Sequence, residues 1–75
     1  MDRHLFKNIR KLNRLSQYEM AAKIEVSRSL VAKIETGNRG LTLDIIKKVK
    51  QEFGVKHIEQ VRDVMGPLKG LQPHL

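Results

Sequence analysis

Residues 15–37, LSQYEMAAKIEVSRSLVAKIETG, decide the fold of this chain, because their pattern predicts two short helices joined by a tight turn. Ser16 and Glu19 have the S-x-x-E spacing of a capping box, in which each side chain bonds the backbone amide of the other residue. Ser27 is a suitable N-cap for the second helix, and Gly37 suits the left-handed position that follows a helix. Each helix of the pair therefore has its own local start signal.

The second helix of the pair has two chemically different faces. A helical period places three apolar residues, Leu30, Val31 and Ile34, on one side. The other side holds small polar and basic residues, namely Arg28, Ser29, Ala32, Lys33 and Thr36. On a chain of net charge +7, such a face is typical of a helix that lies in a DNA groove.

Several positions of this segment fit one known pattern, and they are Leu15-Ser16-Gln17, Ala21, Val26-Ser27, Val31, Ile34, and Glu35 with Gly37. Together they resemble the helix-turn-helix of the phage-repressor (Cro-like, XRE) family of bacterial and phage regulators. The resemblance extends over roughly residues 5–65. The chain departs from the family at Glu25, because the family often has glycine in the turn. A left-handed conformation at that residue costs on the order of 1 kcal/mol.

The resemblance implies an all-α fold, a compact five-helix lambda-repressor-like DNA-binding domain with the helix-turn-helix at helices 2 and 3. The periodicity predicts a first helix over residues 2–14, a fourth that begins after Thr42 and stops at Gly54, and a fifth over about 57–65. The apolar positions expected to face the core from these three helices are Leu5, Ile9, Leu12, Ile45, Ile46, Val49, Phe53, Ile58, Val61 and Met65.

A single helix-turn-helix domain is expected over residues 1–66, followed by a flexible tail over residues 67–75, because Gly66 and Pro67 form a helix stop signal. The chain has no cysteine, and no apolar run approaches the roughly 18–20 residues that a membrane helix needs. The N-terminal residues lack the apolar region of a signal peptide. We therefore expect a cytoplasmic protein that does not enter the membrane.

The charge balance points to a polyanionic partner. Fifteen Lys and Arg residues against eight Asp and Glu residues give a pI near 10.2. The chain has only three aromatic residues, which argues against binding of single strands, because that mode needs exposed rings for base stacking. Double-stranded DNA is therefore the expected partner.

In the helix-turn-helix that the resemblance implies, the second helix enters the major groove. There Arg28 is suited to grip guanine O6 and N7 with two donors, and Lys33 does similar work with less geometric discrimination. Ser29 can donate or accept a hydrogen bond, and Ala32 is suited to a thymine methyl group. The alternative for these residues is an ordinary solvated helix face.

Further DNA contacts are implied beside that helix. Gln17 occupies the family position that touches the DNA backbone and supports base contacts. Asn38 and Arg39 follow the second helix and suit phosphate or minor-groove contacts, with a flexible loop as the alternative. For Ser27 a capping role and a phosphate contact both remain open.

The resemblance also implies a structural ion pair between Arg10 in the first helix and Glu35 near the end of the recognition helix. By contrast, the three histidines, His4, His57 and His74, have no ligand spacing. The sequence also contains no P-loop and no Ser/His/Asp grouping. We therefore predict no enzyme activity, no metal and no cofactor.

These features predict a sequence-specific DNA-binding transcriptional regulator, in particular a repressor that occupies a palindromic operator as a homodimer. Val64 and Leu68 are the candidate dimer-interface residues, because they are less easily placed in the monomer core. Two alternatives remain, each with a protein partner. One is the DNA-binding antitoxin of a toxin–antitoxin pair, and the other is a protein-interaction adaptor that keeps the fold without reading DNA.

Overall fold

The computed structural model describes the backbone of residues 1–71 and the side chains of residues 1–65. Over that part of the chain the fold is all-α, with five helices and no strand. In chain order the helices are α1 (Arg3–Leu12), α2 (Gln17–Ile24), α3 (Arg28–Thr36), α4 (Leu43–Phe53) and α5 (Val55–Leu71). The predicted five-helix class is confirmed, and α2 and α3 begin directly after Ser16 and Ser27, the predicted caps.

Side-chain caps set the start of the first four helices. The caps are Asp2, Ser16, Ser27 and Thr42, and each accepts a hydrogen bond from the backbone amide three residues later. At α2 the reciprocal bond is also present, because the amide of Ser16 donates to Glu19 Oε1 over 2.8 Å. A cap of this kind contributes about 1 kcal/mol, so local sequence chemistry alone places these helix starts.

Left-handed residues close α2 and α3. Glu25 ends α2 with φ 59° and ψ 49°, the conformation that the sequence predicts to be strained there. Gly37 ends α3 with φ 85°, as expected for a glycine C-cap. Arg14, between α1 and α2, is also left-handed, with φ 58°, and no residue pattern predicts this conformation. Both connections to α2 therefore contain a non-glycine residue in a left-handed conformation.

The core is formed by apolar residues, and among the described residues no polar or charged residue is counted with it as a whole. Helix α2 packs on α3 and α4, α1 packs on α3 and α5, and α4 packs on α5. The buried side chains are Leu5, Phe6, Ile9, Met20, Ala21, Ile24, Val31, Ile34, Ile45, Val49, Ile58 and Val61. Helix α3 contributes two of its nine residues to the buried core, and Arg28, Ser29, Lys33 and Thr36 are exposed to solvent or ligand.

The prediction that Leu12 faces the core is wrong, since 55% of its surface is exposed, whereas Phe6 is fully buried. The buried face of α1 is centred near Ile9 and turned toward Phe6 and Asn13, which leaves Leu12 at the edge of that face. Apolar residues at i, i+4 and i+7 therefore show that a helix has a buried face, but they do not fix the direction of that face around the helix axis.

Helix α5 differs from its predicted bounds at both ends. It begins at Val55, directly after Gly54, and its backbone remains helical to Leu71, so the predicted stop at Gly66-Pro67 is wrong. The φ angle to which proline is restricted is also the helical one, so this dipeptide lowers helix propensity without forbidding the conformation. The last residues of the predicted tail, 72–75, lie outside the described residues.

None of the helices in the described part of the chain combines the length and the apolar character that crossing a bilayer requires. The longest, α5, has 17 residues and carries several charged side chains. The position of the boundary between domain and tail stays a prediction.

Candidate nucleic-acid interface

The outer face of α3 is the centre of the candidate interface. Val31 and Ile34 are fully buried and hold the helix on the core. On the opposite side Arg28, Ser29 and Lys33 are exposed. The helix therefore presents one guanidinium, one ammonium and one hydroxyl group on its accessible surface, with half-buried Ala32 between them.

The hydroxyl group of Ser27 makes one hydrogen bond and has the capacity for another. Its Oγ accepts from the amide of Leu30 over 3.1 Å, which caps α3. A hydroxyl has one proton and two acceptor lone pairs, so capping leaves the proton of Ser27 free to donate. The structure thus assigns Ser27 a cap and leaves a phosphate contact compatible with it.

Arg10 of α1 and Glu35 of α3 are joined by a bidentate ion pair. Arg10 Nε donates to Glu35 Oε2 over 2.6 Å, and Arg10 Nη2 donates to Glu35 Oε1 over 2.9 Å. The third nitrogen, Nη1, donates to the carbonyl oxygen of Leu15 over 2.9 Å. Because the two side chains are only 12% and 3% exposed, this pair is shielded from water and links α1 to α3 more firmly than a surface pair.

The environment of Glu35 has opposing effects on its ionisation. Burial raises the pKa of the carboxyl, but hydrogen bonds from Arg10 and Gln17, together with the positive charge of Arg10, outweigh burial. The pKa of Glu35 therefore lies below its ordinary value, and the residue is ionised at neutral pH.

Gln17 connects this ion pair to the exposed face of α3. Its Nε2 donates to Glu35 Oε1 over 3.2 Å, and its Oε1 accepts from Arg28 Nη1 over 3.4 Å. The guanidinium carbon of Arg28 also lies 5.4 Å from the centre of the Tyr18 ring. Side chains of α1, α2 and α3 thus form one continuous polar network. The contact of Tyr18 with Arg28 was not predictable from the sequence, because it depends on how α2 and α3 cross.

The loop after α3 is fastened to the end of that helix. The backbone amides of Asn38 and Arg39 both donate to the carbonyl oxygen of Lys33, over 2.8 Å and 3.2 Å. Both side chains are exposed to solvent beyond the C-terminal end of α3.

Arg3 reaches the same end of α3 from α1, because its Nη1 donates to the carbonyl oxygen of Thr36 over 3.1 Å. Its guanidinium also lies over Gly37, where any side chain would meet it. In the sequence, Arg3 is one of several basic residues near the N-terminus and nothing distinguishes it from the others. The contact connects positions 33 residues apart, and no local pattern reports it.

The eight predicted DNA-contacting residues fall on one connected part of the structure, which spans the first turn of α2, α3 and the loop after it. They are Gln17, Ser27, Arg28, Ser29, Ala32, Lys33, Asn38 and Arg39. Of the two predicted interface residues, Val64 is 60% exposed on α5, and the side chain of Leu68 lies outside the described residues.

Geometry of this kind defines a class, the small all-α domain that presents a recognition helix. A comparison with protein families agrees, since a family model described as "Helix-turn-helix" matches residues 6–60. The chain belongs to the helix-turn-helix family, in its Cro-like XRE group, and is a DNA-binding transcription regulator. Searches of curated proteins and of solved structures found no significant match.

Families of this kind are typically not enzymes. Among the described residues, no three His, Asp or Glu side chains come together in a way that could hold a metal ion. The polar groups that do converge are the members of the Arg10–Glu35–Gln17–Arg28 network, and their chemistry is that of hydrogen bonding and charge.

Proposed function

We propose that this protein is a sequence-specific repressor, which binds a palindromic operator as a homodimer. The observation that carries the proposal is the way α3 is held. Its inner face is buried at Val31 and Ile34, its end is tied to α1 through Glu35, and its outer face is exposed. A fixed helix with an open polar face is what major-groove reading requires.

Base reading is assigned to the outer face of α3. Arg28 offers a planar fork for guanine O6 and N7, and Lys33, five residues later, offers a single charged donor. Ser29 adds a donor or acceptor, and Ala32 offers a methyl group to thymine. Arg28 is the strongest specifier in this set, because a bidentate contact distinguishes base pairs by about 1–3 kcal/mol.

Phosphate contacts are assigned to residues around that face. Gln17 uses one amide hydrogen on Glu35, and the second remains for a phosphate oxygen. Asn38 and Arg39 extend beyond the C-terminal end of α3, and Ser27 retains a hydroxyl proton at its start. These contacts set the register of the helix in the groove and carry no base information directly.

A dimer follows from the small size of one reading surface. Two-fold dimers place their recognition helices in successive major grooves, about 34 Å apart, which doubles the number of base pairs that are read. Val64 supports this proposal, because it is an apolar side chain with 60% exposure on the last helix. We assign it to the interface, together with Leu68.

Selection from a randomised duplex library at near-physiological salt tests the function. Wild-type protein should enrich a two-fold symmetric motif. Arg28→Ala should lose about 1–3 kcal/mol of binding free energy on that motif and relax one position in each half-site. Lys47→Ala is the matched control, because it removes the same charge from an exposed position on α4.

The control should weaken binding slightly and equally on all sequences. An equal loss by Arg28→Ala on selected and random DNA would contradict base reading. Absence of any enriched motif would contradict the repressor proposal and would favour the antitoxin or the adaptor.

A further inference from the structure

The side chain of Tyr18 is an exposed aromatic ring with a specific charged neighbour. We propose that Tyr18 is a positioning residue for Arg28, holding its guanidinium at one point so that α2 helps to determine which base pair α3 reads. The inference rests on the proposed function and names a specificity residue within it.

Core packing does not account for the position of the Tyr18 ring. The side chain is 72% exposed, so the hydrophobic core would lose little by its absence. The guanidinium carbon of Arg28 lies 5.4 Å from the ring centre, within the distance at which a cation is attracted to an aromatic face. The contact that defines the place of Tyr18 is therefore the one to Arg28.

Gln17 holds the same guanidinium from a second direction. Its Oε1 faces Arg28 Nη1 and its Nε2 faces the Glu35 carboxylate, so each end of the amide meets a group of complementary character. Rotating the amide by half a turn would oppose donor to donor and acceptor to acceptor. The ion pair with Arg10 in turn anchors Glu35, so the hydrogen bond to Arg28 has a fixed direction.

The contacts to Arg28 leave enough donors for a base. A guanidinium has five N–H groups, and the bond to Gln17 uses one of them. A free arginine on a helix surface samples many rotamers and loses that freedom when it binds guanine. Because the ring and the amide restrict the side chain beforehand, less entropy remains to be lost in the complex.

A double-mutant cycle on the operator selected with the wild-type protein tests the inference. Tyr18→Leu removes the ring face, and Tyr18→Phe keeps it and removes only the hydroxyl. Binding is measured for both variants in the wild-type and Arg28→Ala backgrounds. Each is tested on the operator, on the operator altered at the base pair that Arg28 specifies, and on random duplex.

Tyr18→Leu should weaken operator binding by about two- to fivefold, the size expected of an exposed cation–π contact. The loss should disappear in the Arg28→Ala background and on the altered operator, and Tyr18→Phe should bind like wild type. Thermal melts of each variant report folding, and little change is expected at so exposed a residue.

Provided that the wild type prefers its operator, three results would overturn this inference and leave the proposed function standing. They are wild-type binding by Tyr18→Leu, an equal loss in the Arg28→Ala background, and a loss by Tyr18→Phe as large as that of Tyr18→Leu. The last two would show that the ring or the hydroxyl acts on DNA directly. A wild-type protein without any sequence preference would overturn the proposed function together with this inference.

Discussion

At the scale of single residues, Glu35 of α3 connects three helices, because Arg10 of α1 and Gln17 of α2 both donate to its carboxylate. Replacing it by glutamine keeps the shape, removes the charge and places an amide where Arg10 needs an acceptor. We expect Glu35→Gln to lower the free energy of unfolding by about 1–3 kcal/mol at pH 7, the range for leaving a shielded polar partner unsatisfied. Chemical denaturation measures the difference.

The effect of Glu35→Gln should depend on pH in a defined direction. The folded-state pKa of Glu35 is lowered from an ordinary value of 4.5, so the ionised form stabilises the fold above that value. The contribution is lost as the pH falls through the lower, folded pKa. The gap between wild type and variant should therefore be constant at neutral pH and should shrink below about pH 4.5.

Glu59→Gln, at an exposed position on α5, is the control and should show little change at any pH. A gap between wild type and Glu35→Gln that persisted unchanged to pH 3 would contradict the assignment of the effect to ionisation of Glu35.

The same scale shows what a linear pattern reports and what it does not. The outer-face residues of α3, such as Arg28 and Lys33, follow from helical period alone, because their exposure depends on which side is apolar. The contacts of Arg28 with Gln17 and Tyr18 depend on the crossing of two helices and on side-chain rotamers. Periodicity contains neither quantity, so the members of the surface were predictable and the way they hold one another was not.

At the scale of elements, the turn between α2 and α3 holds the backbone of Glu25 in a strained conformation, and a substitution can test that strain. Glu25 is exposed, and its φ of 59° places its backbone where a Cβ atom is disfavoured. Glu25→Gly should be neutral or stabilising by up to about 1 kcal/mol, because relief of strain competes with the greater freedom of glycine in the unfolded chain. Thermal melts measure the sum of both effects.

Glu25→Ala provides the matched control, since it removes the side chain and keeps the Cβ atom. It should not gain the stability that glycine gains. A clear loss with both variants would mean that the glutamate side chain itself makes a stabilising contact.

Three of the four helix starts that have a side-chain cap were predictable from that cap, and the cap at Asp2 was not identified. Ser16, Ser27 and Thr42 each cap a helix that begins at the next residue, and the sequence indicates all three. The end of α5 was not predictable in this way, because the signal at Gly66-Pro67 is one of propensity. A hydrogen-bonded cap fixes a boundary, whereas a propensity only biases it.

At the scale of the whole molecule, the surface is basic and also exposes a few large apolar side chains. Apart from the shielded Arg10–Glu35 pair, the described charged side chains are exposed or half-buried, so most of the basic excess behind the net charge of +7 lies at the surface, where it acts on a polyanion. Five large apolar or aromatic side chains are also exposed among the described residues, and Val64 on α5 is the one that we assign to self-association.

Val64→Asp tests the dimer. In the proposed dimer a carboxylate there would be buried against the partner copy, so we expect the variant to remain monomeric at concentrations where we expect the wild type to dimerise. Sedimentation equilibrium measures this directly. Operator affinity should fall and the preference for a half-site should persist, because the reading surface is on another helix.

Leu12→Asp is the comparison, since Leu12 is similarly exposed on α1. It should leave self-association intact. A Val64→Asp protein that dimerises as well as the wild type would exclude this residue from the interface and would transfer the question to another apolar surface.

The alternation of buried and exposed residues along α3 has a consequence for how such a regulator changes over generations. Val31 and Ile34 carry the fold, and Ser29 and Lys33 make no contact with the core that a substitution would break. Drift at those two positions can therefore follow drift in an operator while the scaffold persists. Arg28 is bound into a network that reaches α1, so the base pair that we propose it reads should be the slowest to diverge between descendants of this chain.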